Sequence, residues 1–158
     1  MKDVISQNRI QELNPVVRSI FQQFIEECEA ELNITIRIME PVFRTIKQQD
    51  DLYAIGRTVE TDKPILTNAK GGGSYHNYGL AVDLCHLMDN KVDWNYDMGH
   101  LTTIAHKYGI EWGGDWMSIK DKPHFQKTFG YKWQELFALY KDGKIDENGY
   151  VIIEVENC

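Results

Sequence analysis

Residues 79–88, GLAVDLCHLM, constrain the fold more than any other stretch of the chain. The run is apolar enough to be a buried strand, and Asp89-Asn90 after it supplies the residue types of a tight turn. Yet Asp83 stands in its middle. A carboxylate costs a great deal to bury unless it is paired or hydrogen-bonded. Asp83 is therefore expected to meet a metal or backbone donors.

The rest of the chain reads as elements that would cover such a strand. Asn14 and Pro15 suit the cap and first position of a helix. Val17, Ile20, Phe21, Phe24, Ile25, Cys28 and Leu32 then recur near a 3.6-residue period. Residues 34–39 alternate as a strand, and 45–55 predict a short second helix. Residues 64–68, PILTN, predict a short strand, followed by a flexible Lys70-Gly71-Gly72-Gly73 loop. Residues 97–108 predict a helix that Gly109 ends. A Gly-rich loop at 113–115 precedes a strand near 122–126 and a helix near 131–142. Residues 150–155 predict a last strand. The mixed order fits an α+β fold better than a βαβ series.

A length of 158 residues predicts one domain, large enough to fold without a disulfide or metal staple. Cys28, Cys85 and Cys158 are odd in number and widely spaced. The first two are expected as small core residues, and Cys158 as exposed. A net charge of −7 without a basic block argues against nucleic acid as a partner. No apolar run is long enough to span a membrane. The N-terminus lacks the pattern of a secretory signal, which predicts synthesis in the cytoplasm.

Two polar groupings carry the chemistry: Ser74-Tyr75-His76-Asn77-Tyr78-Gly79-Leu80-Ala81-Val82-Asp83, and Asp121-Lys122-Pro123-His124-Phe125. A catalytic zinc takes three protein ligands and leaves one position open for water. His76, Asp83 and His124 would supply two imidazoles and a carboxylate. Asp121, three residues before His124, would then stand beside the metal as a proton acceptor. Spacing alone leaves other readings open. Asp83 could be satisfied by backbone donors, and His124 could be a core histidine. His86, His100 and His106 lack partners at ligand spacing. Trp112 and Trp116 could line a cleft or pack in the core, and Asp115 could be a loop cap or a substrate contact.

At these residues the sequence resembles the zinc metallopeptidases that comprise D-alanyl-D-alanine carboxypeptidases and L-alanyl-D-glutamate endopeptidases. Ser74, His76, Gly79, Ala81 and Asp83 match the family pattern S-x-H-x-x-G-x-A-x-D, and Asp121 and His124 match its second motif. Arg44, Gln49, Leu52, Tyr53, Gly56 and Arg57 look like a stretch of the endopeptidase branch, as do Trp112-Gly113-Gly114-Asp115-Trp116 and Pro123-His124-Phe125-Gln126. The likeness covers residues 12–130. One departure is Val42-Phe43 before Arg44, where the family often has Gly-Tyr or Gly-Phe.

The resemblance implies a small antiparallel sheet with helices packed on it and a zinc site in the cleft. It implies one Zn²⁺ per chain on His76, Asp83 and His124, with Asp121 as general base and acid. Arg44 would bind substrate and stabilise the oxyanion, and Ser74 would hydrogen-bond the substrate. The implied partner is a peptidoglycan stem peptide, cut between L-Ala and D-Glu by a monomer. The whole chain, 1–158, would be one catalytic domain, with too little sequence after Lys127 for a separate wall-binding domain. The competing readings are a D,D- or L,D-carboxypeptidase, and a zinc-containing module that binds wall peptide without cutting it.

Overall fold

The computed structural model describes residues 1–155; Cys158, expected to be exposed, lies outside them. The α+β expectation holds. In chain order the helices are α1 (Val4–Arg9), α2 (Pro15–Glu31), α3 (Ile46–Ala54), α4 (Thr102–Lys107) and α5 (Trp133–Lys141). The strands are β1 (Ile36–Ile38), β2 (Ala81–Met88), β3 (Lys91–Asp93), β4 (Glu111–Trp112) and β5 (His124–Gln126). These form two compact units, one of residues 1–42 and 80–127, the other of residues 43–79 and 128 onward.

The first unit holds the sheet, in the order β1-β2-β5-β4 with β3 also on β2, every pairing antiparallel. The 79–88 run is the strand the sequence required, and it partners β1, β3 and β5. Asp89 and Asn90, with φ of 51° and 62°, make the two-residue turn into β3. Helix α2 starts as read: Asn14 Oδ1 accepts from Val16 N, and Pro15 opens the first turn. Its apolar stripe buries Val17, Phe21, Phe24, Ile25 and Cys28 completely. Phe24 packs on Phe125 of β5, ring centroids 5.6 Å apart. Side chains alternate along a strand, so Phe125 faces this core while His124 and Gln126 take the other face. Truncating such a buried ring costs about 3–5 kcal/mol. Cys28 and Cys85 are buried free thiols, as expected, and burial pushes Cys28 up to about 12.

Helix α1 is a feature the sequence reading lacked. Asp3 caps it by accepting from Ser6 N, and both Asp3 oxygens accept from Arg37 on β1, at 2.8 and 3.1 Å. Ser6 Oγ in turn accepts from Ile38 N at 2.8 Å. Burial works against an ionised Asp3, but the Arg37 fork and the Ser6 donors outweigh it and hold the carboxyl at about 2.

The second unit is built on α3, α5 and the loops between. Thr45 and Gln48 cap α3 reciprocally. Residues 75–78 form a short 3-10 turn (Tyr75–Tyr78). Tyr75 Oη donates to Tyr131 O at 2.7 Å, and the buried Tyr78 hydroxyl donates to Gly72 O. Two expected strands are absent. Residues 64–68 have no strand partner, and Ile65 and Leu66 are exposed. Residues 150–155 supply one bridge, Ile145 to Val151, and no strand. The 97–108 helix starts as a 3-10 turn (Met98–Leu101), capped by Asp97, before becoming α4.

Candidate metal centre

The 3-10 turn carrying His76 is fixed by hydrogen bonds within its own loop and by others to Arg44. Ser74 Oγ accepts from His76 N at 3.3 Å, and Asn77 Oδ1 accepts from the backbone N–H of Gly72 and Ser74. Asn77 Nδ2 donates to Arg44 O, and Arg44 N donates to His76 O. The Arg44 guanidinium donates to Gln49 Oε1 at 2.9 Å, and the fully buried Gln49 donates onward to Ala69 O. Gly79 ends the turn with φ +67°, a left-handed conformation natural to glycine, and leads into Leu80 and β2.

Asp83 and His124 are brought face to face by sheet register, as direct cross-strand partners of β2 and β5. His124 Nδ1 lies 3.4 Å from Asp83 Oδ1. A charge-assisted hydrogen bond is typically about 2.7–2.9 Å. Two ligands of one tetrahedral zinc, each at about 2.0–2.1 Å, would stand about 3.4 Å apart. The ligand atoms of His76, Asp83 and His124 all lie within 4.8 Å of one another. Both histidines are buried and Asp83 is half-buried. Two nitrogens and one carboxylate oxygen at this spacing are a donor set that could hold a metal, and zinc suits it.

The His124 ring is held on several sides. Nε2 faces Gln126 Oε1 at 2.8 Å, and Trp116 packs against the ring with centroids 5.0 Å apart. Burial alone would disfavour the imidazolium. Asp83, then Gln126 and the more remote Asp121 charge, outweigh it and raise the His124 pKa above its ordinary value.

Asp121 is placed by the loop the sequence marked as Gly-rich. Gly113 O accepts from both Trp116 N, at 3.3 Å, and Asp121 N, at 3.0 Å. A Cβ on Gly113 would come within 2.4 Å of Asp121 O and 3.1 Å of His124 Cβ, so only glycine fits there. His124 N then donates to Asp121 O, and Leu84 N to Pro123 O. Trp112 Nε1 donates to Lys122 O while its ring stacks on Phe125, which makes Trp112 a loop anchor. Asp115 and His106 form a loose exposed pair at 3.8 Å. His100 is also exposed, as expected for that segment. His86 pairs with Asp93 at 3.0 Å, away from the ligand set.

The sequence reading gave Gln49, Asn77 and Gln126 no role. Gln126 had a signal: it is two residues from His124 on a strand and so shares its face.

A family model described as D-alanyl-D-alanine carboxypeptidase matches residues 67–127, which contain all three ligand candidates and Asp121. The chain is 37% identical to the peptidoglycan L-alanyl-D-glutamate endopeptidase CwlK of Bacillus subtilis, over 77% of this chain and 80% of that one. It belongs to the metallopeptidase family of D-alanyl-D-alanine carboxypeptidases and L-alanyl-D-glutamate endopeptidases. The L-Ala D-Glu endopeptidase ChiX of Serratia marcescens shares the fold. Its TM-score is 0.59 at 22% identity, over 80% of this chain and 88% of that one. So does the vancomycin-resistance D,D-pentapeptidase VanY, solved with Zn(II). Its TM-score is 0.54 at 15% identity, over 72% of this chain and 71% of that one. Among the described residues no helix is long and apolar enough to cross a membrane.

Proposed function

We propose that this chain is a zinc-dependent endopeptidase that cuts the L-Ala–D-Glu bond of peptidoglycan stem peptides. The observation that carries the reading is the His76, Asp83 and His124 donor set, within 4.8 Å, in a chain 37% identical to an enzyme named for that activity. His76, Asp83 and His124 would hold one zinc. Bound there, zinc supplies Lewis-acid polarisation of the scissile carbonyl and lowers the pKa of water to about 7.

The chain's own groups do the rest. Asp121, anchored through its backbone to Gly113, accepts the proton of the attacking water on its carboxylate and returns it to the leaving amine. Arg44, tethered by Gln49, presents a fixed cation to the developing oxyanion and to the substrate. Ser74 uses its oxygen to cap the turn of His76, which leaves its O–H as the donor to substrate. The enzyme acts on the cell wall as a monomer.

The test is digestion of purified peptidoglycan with and without a zinc chelator, read by mass spectrometry. New N-terminal D-Glu ends that vanish with chelator and return with zinc support the assignment. Release of only the C-terminal residue would favour a carboxypeptidase, the description of the matching family model. Saturable peptide binding by zinc-loaded protein without turnover would make it a binding module. Near-normal cleavage by Asp121→Ala protein would remove Asp121 from the mechanism.

A further inference from the structure

We propose that Gln126, oriented by Glu111, is a positioning residue that sets the tautomer of His124, so that Nδ1 carries the lone pair on the ligand side. The inference rests on the metal reading above for its consequence, and on hydrogen-bond chemistry for its geometry. Glu111 of β4 and Gln126 of β5 are direct cross-strand partners. Gln126 Nε2 lies 3.0 Å from Glu111 Oε2, and Gln126 Oε1 lies 2.8 Å from His124 Nε2.

Each contact forces the next. A carboxylate only accepts, so the Gln126 amide must turn its NH₂ toward Glu111. Its oxygen then faces His124. A carbonyl oxygen also only accepts, so His124 Nε2 must carry the N–H. A neutral imidazole has one N–H, which leaves Nδ1 with the free lone pair. Nδ1 is the nitrogen that faces Asp83 Oδ1 at 3.4 Å. The opposite arrangement, with the proton on Nδ1, would need the amide reversed and its oxygen pressed against the Glu111 carboxylate. An exposed acid on one strand thus fixes the protonation pattern of a buried ligand on the next. Outer-shell partners of this kind orient metal-bound histidines generally.

The experiment uses the full chain, with zinc alone as the probe. Zinc affinity is read by competition with a chromophoric chelator. The tautomer of His124 is read from its ring ¹⁵N shifts in metal-free protein in alkaline buffer, where the imidazole is neutral. Wild-type protein is expected to show the Nε2–H form. Gln126→Leu is expected to mix the tautomers and weaken zinc binding by about 10–100-fold. Glu111→Ala, at an exposed position, is expected to shift both readouts in the same direction by less. Combining Glu111→Gln with Gln126→Glu is expected to restore the Nε2–H form. The carboxylate then placed at 126 accepts from His124 and from the amide at 111.

A wild-type His124 protonated on Nδ1, or a folded Gln126→Leu with unchanged affinity and tautomer, overturns the proposal. Should Gln126→Leu fail to fold, wild-type values of both readouts in Glu111→Ala overturn it instead. A wild-type chain that binds no zinc would sink the metal reading, and the tautomer measurement on that same sample would still decide the role of Gln126.

Discussion

Strand β2 carries two histidine–aspartate pairs, each made of direct cross-strand partners. At one end Asp83 faces His124 across β5, and at the other His86 faces Asp93 across β3. The first pair stands at 3.4 Å, the second at 3.0 Å. His86 and Asp93 close on each other, with the Tyr96 ring tilted against the imidazole, centroids 4.6 Å apart, and Asn95 N donating to Asp93. Asp83 and His124 are held apart by partners of their own: Gln126 and Trp116 on the histidine, and a strand whose backbone is bonded on both sides, to Met39 N and Pro123 O. His76 brings a third donor to the first pair and none to the second. Residue type and pairing therefore do not by themselves make a candidate metal centre. What distinguishes the two ends is a spacing that outside contacts prevent from collapsing, together with a third candidate donor.

Removing one acid from each pair gives the largest contrast. Asp83→Ala is expected to lower zinc affinity by more than about 100-fold, beyond what loss of an outer-shell contact costs, and to bring wall digestion to background. Asp93→Ala is expected to leave zinc content and digestion at wild-type level. Zinc analysis and release of wall peptides check both, and equal losses in the two variants would break the comparison.

Gly113→Ala tests whether the loop beside the first pair has any slack. Its methyl would meet Asp121 O and His124 Cβ, so a stability loss of about 1–3 kcal/mol is expected from overpacking. A matching fall in digestion is expected, and denaturant titration beside an activity assay reads the two.

Asp3 supplies a carboxylate whose role is purely structural. Its pKa is lowered from 3.8 to about 2, so its contribution is present above about pH 4 and is lost as pH falls through 2. After allowance for solvent screening it should be worth about 1–2 kcal/mol at neutral pH. Asp3→Asn should lose that stability at pH 7 and converge with wild type in strong acid, with zinc affinity unmoved. Melting curves across pH would show it.

The smallest effect belongs to Asp93. His86 donates to this carboxyl and holds it below the usual carboxylate range. Its contribution is therefore also present above the ordinary carboxylate pKa and fades as acid protonates it. Asp93→Asn should lower the melting temperature slightly near neutrality and converge with wild type as pH falls below the carboxylate range.

The elements legible in the sequence were those whose own residues decide them. Asn14-Pro15 and a five-turn apolar stripe announce α2, and an apolar run closed by Asp89-Asn90 announces β2. Helix α1 left no such trace, because Val4 and Ile5 are exposed and its stability comes from Arg37, more than thirty residues away. Strands β3 and β4, three and two residues long, are too short to show an alternation. The apolar residues at 64–68 misled because strand propensity needs a partner strand, and none pairs there. The site follows the same rule. Its ligand candidates sit in contiguous motifs, whereas the link from Glu111 to Gln126 exists only through strand register.

The Gly113 carbonyl, which receives both Trp116 N and Asp121 N, works as a drawstring. Both knots are tied in backbone, and the residues gathered between them, Met117 to Lys120, are all exposed. The loop closes without asking anything of their side chains. That span is thus an exchangeable cassette: natural variation, or a designed library, can rewrite it while the backbone of Asp121 just after it stays anchored.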